Sequence, residues 1–184
     1  MTSALLLCDF QNGIAGRPGM ERAVDSAARA LDTARSRGIP VIFVRVAFRP
    51  GYPEVADSNL SFAARKATAG DQMLADSPYT QIVDALAPRP GEPVVVKKRI
   101  SAFAGSDLEV LLRGLAADEL VIGGIATSGV VLSTVRQAAD LDFRLTVLAD
   151  ACADADPEVH RVLTEKVFPR QATVTTGDEW VLSR

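Results

Sequence analysis

Histidine is almost absent from this chain, and cysteine nearly so. Its 184 residues hold one His, at position 160, and two Cys, at positions 8 and 152. Two distant cysteines make no disulfide framework, so a reducing, cytoplasmic setting is expected. One histidine and no Cys-x-x-Cys leave too few soft ligands for zinc, and no metal or other cofactor is expected. Charge is scarce in blocks of one sign: 20 Lys and Arg face 23 Asp and Glu, for a formal net charge of −3. The densest basic run, Lys97-Lys98-Arg99, sits at the end of an apolar strand pattern. Nucleic acid is therefore not an expected partner. No apolar run is long enough to span a bilayer, and the opening MTSALLLCDF has neither a basic flank nor a cleavage site. A membrane is not expected as a partner either.

What the chain does have is apolar runs alternating with helical patterns. Residues 4–10, 40–48, 93–98, 119–125 and 143–150 are short runs rich in Val, Ile and Leu, with 172–176 a weaker sixth. Apolarity that is continuous rather than alternating means that both faces of a strand are covered. Residues 20–37 place Ala23, Val24, Ala27, Ala30, Leu31 and Ala34 on one helical face, and Gly38 ends that helix. The stretch 106–114 opens with Ser106 and Glu109 in capping-box spacing. The stretch 156–168 opens with Asp156 as a cap and Pro157 at the first helical position. With no repeat and no linker, this predicts one α/β domain over 1–184, a parallel sheet between two helical layers. Residues 49–77 break the pattern. They are either a binding element carried over the sheet or a surface loop with one short helix.

In such sheets the site lies beyond the carboxyl ends of the strands. Asp9 closes the first strand and is followed by Phe10 and Gln11; Arg45 and Phe48 close the second; Lys97 closes the third. Gly123 to Val130 leave the fourth and enter a helix. A carboxylate and an ammonium at two strand ends can meet over one pocket, or form a salt bridge that is only structural. Cys8, next to Asp9, should face the opposite way and pack.

Three blocks are more specific than any single residue. LLLCDFQN holds Asp9, KKRISAFAGSDLEVLL holds Lys97 and Phe103, and GIATSGVVLSTVRQAAD holds Thr127, Ser128 and Val130. Their order and spacing resemble the isochorismatase-like hydrolase superfamily over nearly the whole chain. The resemblance implies a six-stranded, mainly parallel sheet flanked by helices. It implies a triad of Asp9, Lys97 and a cysteine, but counting back from Ser133-Thr134 puts Val130 at the cysteine's place. Valine cannot attack a carbonyl. The resemblance further implies an oxyanion hole from the N–H groups of Ala126 and Val130, and a cis peptide between Ile125 and Ala126. Phe10, Gln11, Arg45, Phe48, Phe103, Thr127 and Ser128 are then expected to line the substrate pocket. The metal site of the family's nicotinamidases needs histidines that RVAFRPGYPEV does not offer. A homodimer or homotetramer is expected.

True isochorismatases resemble this chain in lacking the cysteine; they carry Gly there and cleave a vinyl ether by acid–base chemistry. Three functions remain open: a cysteine-independent hydrolase using Asp9 and Lys97 on a small molecule, a hydrolase with a displaced hydroxyl such as Ser128, and a silent member that binds a ligand or partner. Arg45, Arg49 and Arg65 are candidates for holding substrate carboxylates. His160, on the late helix, is expected at the surface.

Overall fold

In the computed structural model, which describes residues 2–182, β1 (Ser3–Cys8) is buried at every position. Its side chains alternate between two cores. Ala4, Leu6 and Cys8 pack into one, and Leu5 and Leu7 into the other. That division follows from the period of two along a strand, and it explains why the run is apolar without interruption. β1 is one of six parallel strands. The others are β2 (Val41–Val46), β3 (Val94–Lys97), β4 (Glu119–Ile125), β5 (Arg144–Ala153) and β6 (Thr173–Thr175). Their order is β3-β2-β1-β4-β5-β6, with every neighbouring pair parallel.

The helical elements named here are α1 (Asn12–Ala15), α2 (Glu21–Ser36), α3 (Leu60–Ala69), α4 (Leu108–Gly114), α5 (Leu132–Asp140), α6 (Pro157–Val162) and α7 (Gly177–Leu182). α2 covers one face of the sheet with Ala23, Ala27, Ala30, Leu31 and Ala34, joined by Trp180 of α7. Alanines let the helix axis approach the strands closely. A bulky residue at Ala27 would overpack this contact at a cost of about 1–3 kcal/mol. α2 stops where Gly38 takes a φ of 66°, a left-handed value open to glycine. α4 and α5 cover the other face through Leu108, Leu112, Val135 and Ala138, joined by Val131 just before α5. No helix among the described residues is long and apolar enough to cross a membrane.

Several boundaries differ from those expected. β1 and β2 end two residues early, at Cys8 and Val46. β5 runs on to Ala153, so Cys152 lies inside it rather than beyond it. The Asp150 carboxylate is tolerated within this strand because its Oδ1 accepts the Gly177 N–H at 2.7 Å. The capping box at Ser106 is not made: Ser106 Oγ takes the Leu108 N–H at 3.3 Å, while Glu109 pairs with Arg113 instead. Asp156 does cap α6, accepting from the Glu158 N–H at 2.9 Å. That late helix is not continuous; it widens to a π turn over Leu163–Val167 and tightens over Phe168–Arg170. Residues 49–77 carry α3 and pack Tyr52, Val55, Phe62, Met73 and Leu74 against Val46 and Phe48 in a separate apolar cluster.

Candidate active site

The strand order changes direction between β1 and β4, since β2 and β3 lie on one side of β1 and β4 to β6 on the other. Crevices form at such a switch, beyond the carboxyl ends of the strands. Here a cavity of about 410 Å³ opens at that point, lined by Asp9, Lys97, Ala126, Gly129 and Val130. Asp9 is one residue past β1 and takes a φ of 58°. Aspartate tolerates this left-handed backbone better than most residues, and the turn aims its carboxyl across the strand ends. Beside it β1 and β4 must approach closely. A Cβ added to Gly124 would lie 2.8 Å from the Cys8 carbonyl oxygen, so only glycine fits there.

Asp9 Oδ2 lies 3.0 Å from Lys97 Nζ, and both side chains are almost wholly buried. Lys97 Nζ also donates to the carbonyls of Arg99 at 3.0 Å and Ile100 at 3.1 Å. An ammonium has three donors, so Lys97 is saturated by the protein. Asp9 Oδ1 is different: it is buried and has no hydrogen-bond partner among the described residues. Burial pushes the Asp9 carboxyl above the ordinary carboxylate range, against the opposing pull of Lys97 and, more weakly, Arg65. Removing a carboxylate from water favours its neutral form.

The opposite wall is the turn from β4 into α5. The Ile125–Ala126 peptide is cis. Thr127–Val131 form a π turn, in which the Ala126 carbonyl accepts the N–H groups of Gly129 at 3.1 Å and Val131 at 3.3 Å. The Val130 side chain is 2% exposed and presents only carbon to the cavity. Neither thiol replaces it. Cys8 packs in the core and burial raises its pKa far above the ordinary thiol value. Cys152 is buried as well, and burial pushes its thiol up to about 12.

Several residues expected in the pocket are placed elsewhere. Phe10 is fully buried in the α2-side core, because the left-handed Asp9 breaks the strand alternation before it. Gln11 is a backbone clamp. Its Oε1 accepts the Val46 N–H at 2.8 Å, and its Nε2 donates to the carbonyls of Val46 and Thr80, each at 3.0 Å. Arg45 donates to the carbonyls of Ala75 at 3.0 Å and Thr80 at 3.2 Å, holding the following loop rather than a ligand. Phe48 sits edge-on to Phe62 at 5.5 Å, and Phe103 packs near Phe143 at 6.2 Å. Arg49 is paired with Glu54. Thr127 is fully buried, 2.8 Å from His160 Nδ1, so His160 is half-buried rather than at the surface. Ser128 is exposed, and its N–H is taken by Asp154 Oδ2 at 2.7 Å.

The sequence also hid part of the lining. α3 and the loop after it contribute Ser61, Phe62 and Met73, the stretch before α2 contributes Arg17 and Met20, and Arg65, already a candidate for holding a carboxylate, lines the cavity too. Arg65 makes no ion pair or hydrogen bond among the described residues, and Arg17 donates only to the Tyr79 hydroxyl, at 2.9 Å. Two cations thus stand at an otherwise largely apolar mouth. A larger cavity of about 760 Å³ lies between α2, the end of β5 and α6. It contains neither Asp9 nor Lys97, and its Arg29 is already paired with Asp178 at 3.1 Å. The buried Asp9–Lys97 pair lines the smaller cavity. Among the described residues, no group of three or more His, Cys, Asp or Glu is placed to hold a metal ion.

Comparison with known proteins agrees with this architecture. The ureidoacrylate amidohydrolase of Methylobacterium radiotolerans is 34% identical over 182 residues, covering 87% of this chain and 70% of that one. The maleamate amidohydrolase of Pseudomonas putida is 31% identical over 182 residues, covering 96% and 84%. The solved structure of an isochorismatase family protein from Burkholderia thailandensis superposes with a TM-score of 0.87 at 28% identity, covering 100% of this chain and 96% of that one. The model of the isochorismatase domain matches residues 3–179, and the chain belongs to the isochorismatase family.

Proposed function

We propose that the protein is a hydrolase that cleaves a small carboxylate-bearing molecule by direct attack of water, with Asp9 as the proton-transferring group and no covalent intermediate. The observation that carries this is the unpartnered, buried Oδ1 of Asp9 inside a cavity whose other wall, at Val130, is an alkyl group. No thiol lines the cavity, and its one hydroxyl, that of Ser61, comes from α3 rather than from the turn that carries Val130, so the acid–base pair works on water. Val130 holds the position at which amidases of the family carry their cysteine.

The steps balance as follows. Protonated Asp9 gives its proton to the leaving atom as the bond from carbon to that atom breaks. Water adds to the carbon and returns a proton to the Asp9 carboxylate. Lys97, whose three donors are taken, orients Oδ2 and opposes the developing charge on Asp9. The N–H groups of Ala126 and Val130 face negative charge that builds on a carbonyl oxygen. Arg65 and Arg17 favour an anionic substrate. That fits the carboxylates in ureidoacrylate and maleamate, the compounds for which two relatives are named.

The test is a panel of small carboxylates bearing an amide, a ureido group or a vinyl ether. Turnover is expected on at least one, lost in Asp9→Asn and with a KM raised about tenfold in Arg65→Ala. Intact-mass analysis during turnover is expected to show no enzyme adduct. Tight binding of a panel member with no turnover would favour the second reading, a ligand-binding member of the family. The alkyl group at Val130 is the observation behind that alternative.

A further inference from the structure

The turn that carries Val130 is tied down by two side chains that the proposed chemistry does not use. Thr127 Oγ1 lies 2.8 Å from His160 Nδ1, and the Ser128 N–H donates to Asp154 Oδ2 at 2.7 Å. Both partners come from one short segment, the exit of β5 and the start of α6, which Asp156 and Pro157 cap. The tied residues, Thr127 and Ser128, stand between Ala126 and Val130 in the chain. A π turn is wider and less self-supporting than an α turn and is common at functional sites. Here the Ala126 carbonyl is used by Gly129 and Val131, so the direction of the intervening N–H groups rests on what holds Thr127 and Ser128.

We infer that His160 and Asp154 are positioning residues for this turn: they fix the backbone N–H groups of Ala126 and Val130 toward the cavity. The inference rests on the proposed role of the turn as an anion-stabilising wall. His160 touches neither Asp9 nor the 410 Å³ cavity, so it acts through Thr127. Burial holds its imidazole below the ordinary histidine pKa, with Asp154 opposing. The neutral ring has one acceptor nitrogen, which suits the Thr127 hydroxyl as donor. Thr127 has no exposed surface, so water cannot take over that bond.

The test needs no substrate. Val130→Cys places a thiol at the turn, and the pH profile of its alkylation by iodoacetamide reports the local N–H field, since a fixed helix start favours the thiolate. In this background His160→Leu removes the polar ring, and His160→Asn restores a polar atom near Nδ1. Thr127→Val deletes the same bond from the other side at nearly constant volume. His160→Leu and Thr127→Val are each expected to raise the apparent thiol pKa and to slow labelling at pH 7 about tenfold. His160→Asn should label within about threefold of the Val130→Cys parent. The His160→Leu and Thr127→Val double variant should be no slower than either alone. Urea unfolding of each variant confirms a folded sample, and Thr127→Val serves if His160→Leu does not fold. A fast parent with indifferent His160 and Thr127 variants would overturn the positioning role alone. So would His160→Asn labelling as slowly as His160→Leu. A parent that labels no faster than an exposed peptide cysteine would overturn both this inference and the proposed role of the turn.

Discussion

Asp9 and Lys97 form a buried ion pair in which only one member is complete: Lys97 has every donor engaged, while Asp9 keeps one oxygen without a partner among the described residues. This asymmetry separates the two roles. In the proposed mechanism the lysine orients its partner, and the carboxyl is the group that exchanges a proton with a ligand.

Replacing Lys97 with Met removes the ammonium and leaves Asp9 buried alone. Breaking a buried pair in this way costs about 3–5 kcal/mol. The cost depends on pH. The folded-state pKa of Asp9 is already raised, so its stabilising contribution is complete below the unfolded carboxylate value of about 3.9 and is lost as pH rises through the folded value. Without Lys97 that folded value rises further, and the carboxyl can neutralise itself by binding a proton. The loss in Lys97→Met should therefore be largest at pH 8 and shrink towards pH 5. Urea unfolding at both values checks this; a pH-independent loss would show that Asp9 does not titrate in this window.

The native thiols should be inert. Burial raises the pKa of Cys8 and Cys152 alike, so iodoacetamide at pH 7.5 should label neither in the folded protein and should leave any hydrolysis unchanged. In urea both should label fully. Stoichiometric labelling of the native protein, measured by intact mass, would contradict this placement.

Gln11 is expected to matter for stability and not for substrate. Gln11→Leu leaves the Val46 N–H and carbonyl without their buried partners, at a cost of about 3 kcal/mol. On a substrate found by the panel, its KM should stay within about twofold of wild type, while Arg65→Ala raises KM. A Gln11 variant of normal stability with a raised KM would return Gln11 to the pocket wall.

Much of this was legible in the sequence. Strands buried on both faces announce themselves as unbroken apolar runs, and the parallel sheet follows from their alternation with helices. Asp9 and Lys97 stood out because a charge at the end of such a run needs a reason. The polar and aromatic residues beside them were not separable by the same logic. Gln11 and Arg45 look like ligand contacts until the backbone groups they serve are seen, and those belong to Val46, Ala75 and Thr80, far away in sequence. Arg65 had no fixed direction because α3 is placed by the Phe48–Tyr52–Phe62 cluster, a tertiary contact without periodicity. His160 was assigned to the surface for a related reason, since the pattern of one short helix cannot tell which side meets the turn at Thr127. The apolar run of the fifth strand ends at Asp150, yet β5 continues to Ala153 because that charge is matched by the Gly177 N–H.

The position of β3 in the sheet has a kinetic meaning. It is a four-residue edge strand, paired on one flank only with β2, and Val94 at its start is exposed. Edge elements with few buried contacts open at a lower free energy than the centre of a sheet. Fraying of β3 would carry Lys97 away while β1, held between β2 and β4, keeps Asp9 in place. The pair thus joins a central strand to an edge strand, so that opening of β3 alone would part Lys97 from Asp9 without unfolding of the domain.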